Sequence, residues 1–348
     1  MLLAIRVLIR SGGVDGVKMS LKDALGHYLE VRDGRKDARF LKAKATPASF
    51  SRESETSELW REHERIEQGF ECSGECRKSF LDLKIEIAER IFRKCSLCHW
   101  RCGVDRNLKP GRCGVTSPRV ASEFLHYGEE APLVPSHTIF FSGCTMNCVF
   151  CQNWDISQNP SVGVSIPEDR LAALIEERRR MGSANVNFVG GDPTPALPYI
   201  LRVLQQISIS VPVVWNSNMY LSQESMRLLK GIVDLYLTDF KFGNSDCALK
   251  LAGVRNYFEV VSENHLRIRG EDMIIRHLVI PGHLECCTKP IISWVADNLG
   301  KDTVMNIMGQ YRPLYRASRY PELNRYPSME ELEGARRWAL REGIENLI

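Results

Sequence analysis

From His137 onward the chain repeats one pattern six times, a short apolar strand followed by a helical stretch. That repetition limits the fold more than any other feature. The strands read His137–Ser142, Asn185–Val189, Val211–Trp215, Leu235–Phe240, Met273–Ile280 and Thr303–Met308. Each is rich in β-branched and apolar residues and is bounded by Gly, Pro, Asn or Asp, the punctuation of strand ends. Pro167–Met181, Pro198–Ile207 and Ser222–Ile232 carry helical signals between them, and Met329–Arg341 reads as a closing helix. Ser165–Glu168 opens the first of these with a capping pattern, with Pro167 at an early position where a missing N–H is tolerated. Each unit takes about 30 residues, the usual size of a strand–crossover–strand unit. Repeated right-handed crossovers build a parallel sheet. The prediction is an α/β fold, a partial (β/α)6 TIM-like barrel, preceded by an N-terminal Cys-rich extension.

In β/α barrels, reactive groups gather at the C-terminal ends of the strands. The unusual residues of this chain fall there. A cysteine loop, Cys144–Cys151, follows the first strand, and Gly190-Gly191-Asp192-Pro193-Thr194-Pro195 follows the second. Asn216 and Asn218 end the third, Asp239 and Lys241 the fourth, Pro281-Gly282-His283 the fifth, and Gln310, Tyr311 and Arg312 the sixth. Random placement would not put all of these on one rim.

The cysteine loop reads Cys144-Thr145-Met146-Asn147-Cys148-Val149-Phe150-Cys151. Three thiolates hold three corners of a cubic 4Fe–4S cluster, which ordinarily takes four. An iron without a protein ligand is an open position where a small molecule binds and reacts, as in catalytic as opposed to structural metal sites.

The spacing CxxxCxΦC, with Phe150 at the aromatic position, resembles the signature of the radical S-adenosylmethionine (radical SAM) enzymes. The resemblance implies that the cluster's open iron takes SAM. Reductive cleavage then generates a 5′-deoxyadenosyl radical, while the protein orients the cofactors and excludes water. Gly190-Gly191-Asp192 resembles the family's GGE motif, with Asp192 one methylene shorter. The resemblance makes Gly190, Gly191 and Asp192 SAM contacts, with Phe150 packed on adenine or in the core. Asn216 and Asn218, two apart, share a face of a strand and suit the SAM ribose or carboxylate. Asp239 and Lys241 resemble the D-x-K of glycyl-radical-enzyme activases. His277, in Arg276-His277-Leu278-Val279-Ile280-Pro281-Gly282-His283, completes the predicted catalytic set of Asp239, Lys241 and His277, and His283 is a weaker candidate. Polar Gln152-Asn153-Trp154-Asp155 follows the third cysteine, where amide donors near sulfur raise a cluster's potential. With His126-Tyr127-Gly128-Glu129-Glu130 and the late Met308-Gly309-Gln310-Tyr311-Arg312-Pro313, the stretch from about 82 to 345 is similar to the pyruvate formate-lyase activating enzyme-related (PflX-like) proteins.

A second cysteine group, Cys95, Cys98, Cys102 and Cys113, lies upstream among Gly103, Gly111 and Gly114. Four thiolates at that spacing make either a structural zinc site or an auxiliary 4Fe–4S cluster, with His99 as a weaker substitute ligand. Cys72 and Cys76 add ligands or form a separate pair. Cys247, Cys286 and Cys287 have no partner at metal-ligand spacing and read as structural. A helix over Phe80–Phe92 leads into the upstream group. The regions expected are 1–85, polar and partly mobile, with linker-like Lys42–Pro47 and Ser51–Glu55; 86–135, the Cys-rich metal-binding extension; and 136–348, the barrel core.

Composition narrows the context. Twelve cysteines in 348 residues, clustered rather than spread, read as metal ligands, not a disulfide scaffold. The start, Met1–Arg10, is interrupted by Arg6 and Arg10 and lacks a small-residue cleavage site, so no signal peptide is expected, and Met19 offers an alternative initiator. A cytoplasmic, oxygen-poor setting follows. A net charge of +3 does not indicate nucleic acid, and no apolar run is long enough to span a membrane. The resemblance implies an electron donor such as ferredoxin or flavodoxin. It also implies a protein substrate of glycyl-radical-enzyme type; a small molecule, peptide or RNA is the alternative substrate, and a non-catalytic Fe–S or zinc carrier the alternative class.

Overall fold

The computed structural model describes residues 21–70, 72 and 76–348. The expectations concerning Arg6, Arg10 and Met19 lie outside the described residues. Six parallel strands pair in sequence order: β4 (Ser136–Phe141), β5 (Asn185–Gly190), β6 (Val213–Ser217), β7 (Leu235–Asp239), β8 (Met273–Leu278) and β9 (Val304–Met308). These are the six strands expected, each within about two residues of its sequence-derived ends. A seventh, β3 (Val120–His126), pairs antiparallel with β4. It lies in the stretch read as part of the Cys-rich extension, and its alternation of half-buried and exposed residues marks an edge strand with one face to solvent.

Helices follow the strands: α6 (Trp154–Ser157) and α7 (Glu168–Arg180) after β4, α8 (Leu197–Gln206) after β5, and α9 (Gln223–Leu229) after β6. After β7 come α10 (Ser245–Ala252) and α11 (Tyr257–Arg267), after β8 α12 (Lys289–Asn298), and last α13 (Met329–Glu342). The parallel strands are buried on both faces, as both-side coverage requires. One face, with Val186, Phe188, Trp215, Tyr236, Met273, Ile275 and Met305, joins the large core beneath the helices. The other, with Val214, Leu235, Leu237, Ile274 and Val304, forms a separate interior cluster.

The N-terminal region departs from expectation. Before the barrel run α1 (Leu21–Ala24), α2 (Gly26–Arg32), α3 (Arg39–Ala45), α4 (Thr56–Glu67) and α5 (Phe80–Arg93). Strands β1 (Pro47–Ala48) and β2 (Lys78–Ser79) pair between them. Lys42–Pro47, read as linker-like, is mostly the end of α3, with Phe40 and Ala43 buried in the main core. Leu25 and Tyr28 are fully buried and join Leu133 in closing the lower end of the barrel. The polar residues that suggested a solvated segment form its outer face. Ser51–Glu55 is a mostly exposed turn, as expected. Helix α5 matches its prediction, with Ser79 and Asp82 forming a reciprocal cap.

Candidate active site

The cysteine loop leaves β4 through Gly143, whose φ of 87° and whose neighbours, with Val115 2.2 Å from where a Cβ would sit, admit only glycine. The N–H groups of Asn147 and Val149 donate to the carbonyls of Ala252 and Leu251, 3.0 and 2.8 Å away, at the end of α10. Donors reach two of the sulfurs: Met146 N lies 3.4 Å and Asn218 Nδ2 3.7 Å from Cys144 Sγ, and Ser157 Oγ 3.2 Å from Cys151 Sγ. The polar run after Cys151 does not supply them, since Gln152 Nε2 donates instead to the Gln310 carbonyl. Burial pushes the Cys148 thiol up to about 12, partly countered by Lys241, and lifts Cys144 well above the usual thiol range, with Asp192 adding to it. Such thiols stay protonated until a metal displaces the proton.

Gly190 and Gly191 serve the loop directly. A Cβ on Gly190 would lie 2.1 Å from the Phe141 carbonyl oxygen, and one on Gly191 2.1 Å from that of Gly143. The close approach that demands glycine here is between two backbones. Gly191 N donates to Phe141 O at 2.8 Å and Asp192 N to Gly143 O at 3.0 Å. Asp192 is buried and its carboxylate accepts from Thr194 N at 2.9 Å, Ser217 Oγ at 3.1 Å and Asn218 N at 3.1 Å. Burial raises it above the usual carboxylate range despite these bonds. Asp192 therefore fixes the end of β6 rather than reaching outward. Asn218 in turn donates to Thr145 Oγ1 at 3.0 Å, tying β6 to the cysteine loop. Asn216, nearly buried, lies on the barrel-interior side of β6, two residues beyond interior Val214. Phe150 is 3% exposed and packs against Tyr311 and Phe242 at centroid distances of 5.6 and 6.1 Å, so the structure uses it in the core.

Asp239 and Lys241 form an ion pair at the mouth of the barrel, 24% and 19% exposed. Burial works against the Lys241 ammonium, but Asp239 and Cys148 more than offset it and hold the lysine above its usual range. His277 does not join them. It is fully buried, its Nδ1 2.8 Å from the Phe240 carbonyl and its Nε2 2.8 Å from Thr288 Oγ1. Strand alternation is the reason: Ile274 faces the interior, so Arg276 does too, and His277 faces the helices. The expectation of a catalytic His277 is corrected accordingly.

Arg276 is the residue that reading missed. Inside the barrel it forms a forked ion pair with Glu130 (Nε to Oε1 2.8 Å, Nη2 to Oε2 2.6 Å) and pairs with Glu129. Asn306 Nδ2 adds a bond to Glu130 Oε1 at 2.8 Å. Burial opposes the Arg276 charge, and the two carboxylates outweigh it and raise the guanidinium further. The signal was available in the strand period, which puts Arg276 on the face of Ile274, next to Asp239 in register.

The upstream cysteines converge on the same end of the barrel. Cys95 and Cys98 are buried, Arg106 Nη1 lies 3.5 Å from Cys95 Sγ, and Arg112 N lies 3.3 Å from Cys102 Sγ. Burial raises the Cys98 thiol, and Cys113, Cys95 and Cys102 raise it further. Trp100 Nε1 donates to the Thr145 carbonyl at 2.8 Å. Cys113 and Cys144 line one cavity of about 170 Å³ together with Trp100, Arg112 and Met146. His99 sits with its ring against Tyr220. Cys72 and Cys76 form a disulfide, away from this end. Cys247, Cys286 and Cys287, read as unpartnered, are drawn together with His283, a convergence that no linear spacing reveals.

Comparison with known proteins accords with this geometry. The profile of the Radical SAM superfamily matches residues 138–295. An uncharacterized protein of Methanocaldococcus jannaschii is 47% identical over 324 residues, 89% of this chain and 95% of that protein. The pyruvate formate-lyase 1-activating enzyme of Escherichia coli (strain K12) is 25% identical over 151 residues, 41% of this chain and 60% of the enzyme. A crystal structure of Streptococcus suis SuiB bound to precursor peptide SuiA shares 14% identity at a TM-score of 0.43, covering 59% of this chain and 46% of that one. The chain belongs to the radical SAM superfamily, whose members use a 4Fe–4S cluster and S-adenosylmethionine.

Proposed function

We propose that this protein uses Cys144, Cys148 and Cys151 to hold the 4Fe–4S cluster at which SAM is cleaved, and that it acts on a protein, as glycyl-radical activases do. When bound, cluster and SAM supply a one-electron cleavage that leaves a 5′-deoxyadenosyl radical for hydrogen abstraction. The chain's own residues prepare the place. Gly190 and Gly191 let the cysteine loop close onto β5, Asp192 holds Asn218 beside Cys144, and Asn216 faces the interior space where SAM would extend. The observation that carries the activase reading is the Asp239–Lys241 pair, coupled electrostatically to Cys148 at the barrel mouth. A fixed cation beside a carboxylate suits the charged ends of SAM, and Arg276 with Glu129 and Glu130 floors the same interior. The similarity to the E. coli activating enzyme spans 60% of that enzyme.

The upstream group, in which Cys113, Cys95 and Cys102 lie close enough to act on the Cys98 thiol, would hold an auxiliary 4Fe–4S cluster or a zinc ion. Its shared cavity with Cys144 suits passage of electrons from a donor such as ferredoxin or flavodoxin. Anaerobically reconstituted protein reduced with dithionite is expected to convert SAM to 5′-deoxyadenosine. With a glycyl radical enzyme deuterated at glycine, deuterium is expected in that product. Cluster-replete protein that makes no 5′-deoxyadenosine overturns the first statement. Product without deuterium from any such candidate overturns the second and favours a small molecule, peptide or RNA.

A further inference from the structure

We infer a separate mononuclear metal site, of zinc class, formed by Cys247, His283, Cys286 and Cys287. The four residues come from the first turn of α10, after β7, and from the His283–Cys287 segment after β8, 36 or more positions apart in sequence for Cys247 and the rest. Their ligand atoms all lie within 4.8 Å of one another. A tetrahedral zinc ion with Zn–S of about 2.3 Å and Zn–N of about 2.0 Å sets sulfurs about 3.8 Å apart and sulfur from nitrogen about 3.5 Å. Here Cys286 Sγ lies 3.8 Å from Cys247 Sγ and 3.9 Å from Cys287 Sγ. His283 Nδ1 lies 3.3, 3.6 and 3.8 Å from the sulfurs of Cys286, Cys247 and Cys287. The edges are those of a single-ion tetrahedron. They are far longer than a disulfide at about 2.0 Å and too short for thiolates at the corners of a cube.

The backbone is shaped to the same end. Adjacent cysteines in an ordinary helical turn point about 100° apart. Leu284–Thr288 instead forms a π-helical turn, with Thr288 N donating to His283 O at 3.2 Å, and widened turns of this kind recur at functional sites. Gly243 lets the other loop approach, since a Cβ there would lie 2.5 Å from the Cys287 carbonyl oxygen. Asn244 straps the two together: its Oδ1 caps α10 by accepting from Cys247 N at 2.8 Å, and its Nδ2 donates to the Cys286 carbonyl at 2.8 Å. Cys287 and His283 are buried and Cys286 is exposed, so an ion has a path in. Four protein ligands leave no open position, which makes the site structural rather than catalytic. It pins the start of α10, the helix whose final carbonyls hold Asn147 and Val149 of the cysteine loop.

The test is metal content of the full chain purified anaerobically, read as zinc and iron per chain in wild type, Cys247→Ala/Cys287→Ala and Cys95→Ala/Cys98→Ala. The expected result is one zinc lost in the first double variant and kept in the second, with the iron of the first variant unchanged. Equal zinc in wild type and Cys247→Ala/Cys287→Ala overturns the site, as does a Cys247–Cys286 or Cys286–Cys287 disulfide in the fresh protein. If the double variant does not fold, cobalt(II) loaded in place of zinc into wild type and His283→Gln decides. A shifted thiolate-to-cobalt charge-transfer band supports the site, and identical spectra sink it. None of these readouts depends on SAM cleavage.

Discussion

The N-terminal helices and the strand-end rim use the same kinds of polar residue to opposite ends. In the helices, several polar groups are turned inward and bonded within the chain. Asp234 accepts from His27 Nε2 at 2.8 Å and Arg39 N at 3.0 Å, and Asp272 accepts from Tyr28 N at 2.7 Å. Lys84, fully buried, reaches His63 Nε2 at 2.9 Å and the Arg227 carbonyl at 3.0 Å. At the rim, Asp239 and Lys241 bond each other yet stay partly open, and Cys144 and Cys151 are only half-buried. Sealed polar groups secure a fold, whereas reachable ones are available for chemistry. Substitutions in the two regions should therefore separate stability from activity.

The largest separation is expected at Cys148. Cys148→Ser removes one of the three thiolates proposed to hold the cluster, and 5′-deoxyadenosine formation should fall at least roughly a thousandfold, a barrier change of about 4 kcal/mol. Iron content should drop with it while the urea midpoint of the metal-free protein stays near wild type. Retained iron and cleavage would erase the contrast.

Lys84 should show the reverse, through pH. Burial, only partly countered by Glu67, lowers its ammonium to about 7, against about 10.4 in an unfolded chain. Between those values the unfolded chain binds the extra proton, so stability rises with pH across the window and is flat below it. The full gain is about 4–5 kcal/mol, from about 1.4 kcal/mol for each unit of difference. Lys84→Met should abolish the slope between pH 7 and 10 in urea midpoints without changing cleavage by folded, cluster-loaded protein. A wild-type curve parallel to the variant's would show that Lys84 stays charged in the fold. Leu25→Ala tests the same side with a pure packing loss of about 2–5 kcal/mol. Its cleavage per folded molecule should match wild type, and a large loss of activity would mean that the barrel floor shapes the rim.

The same contrast explains what the sequence discloses. The rim is legible because its polar residues are contiguous, as in Cys144–Cys151, or sit at the ends of strongly patterned strands, as Asp239 does. The strands themselves are legible because both-side burial makes short β-branched runs. The floor is not, because the segment from α1 to α4 buries only scattered residues, such as Leu25, Tyr28, Phe40 and Leu59, among many charges. That composition reads as solvated until the barrel supplies the apolar partner. His277 was misassigned by a single position, since on a strand one residue decides between interior and helix layer. Cys247 and His283 could not be linked in advance, because only the fold brings the segments after β7 and β8 together.

The smallest expected effect belongs to the rim pair, and it asks whether reachable polar groups do more than sit near the chemistry. Removing the ammonium with Lys241→Met leaves Asp239 unpaired beside Cys148, adding uncompensated negative charge where an electron must arrive. Cleavage should fall by about 10- to 100-fold, or about 1.4–2.7 kcal/mol, with the KM for SAM raised as well. Asp239→Asn alone should cost less, because the lysine keeps its charge and loses only one partner. If the two act as a unit, the double variant should be no worse than Lys241→Met, with a coupling of about 1–2 kcal/mol in the cycle. Additive losses would mean that each contacts SAM or substrate separately. Unchanged cleavage in all three variants would place Asp239 and Lys241 with the sealed pairs of the N-terminal helices, as structure that happens to be exposed.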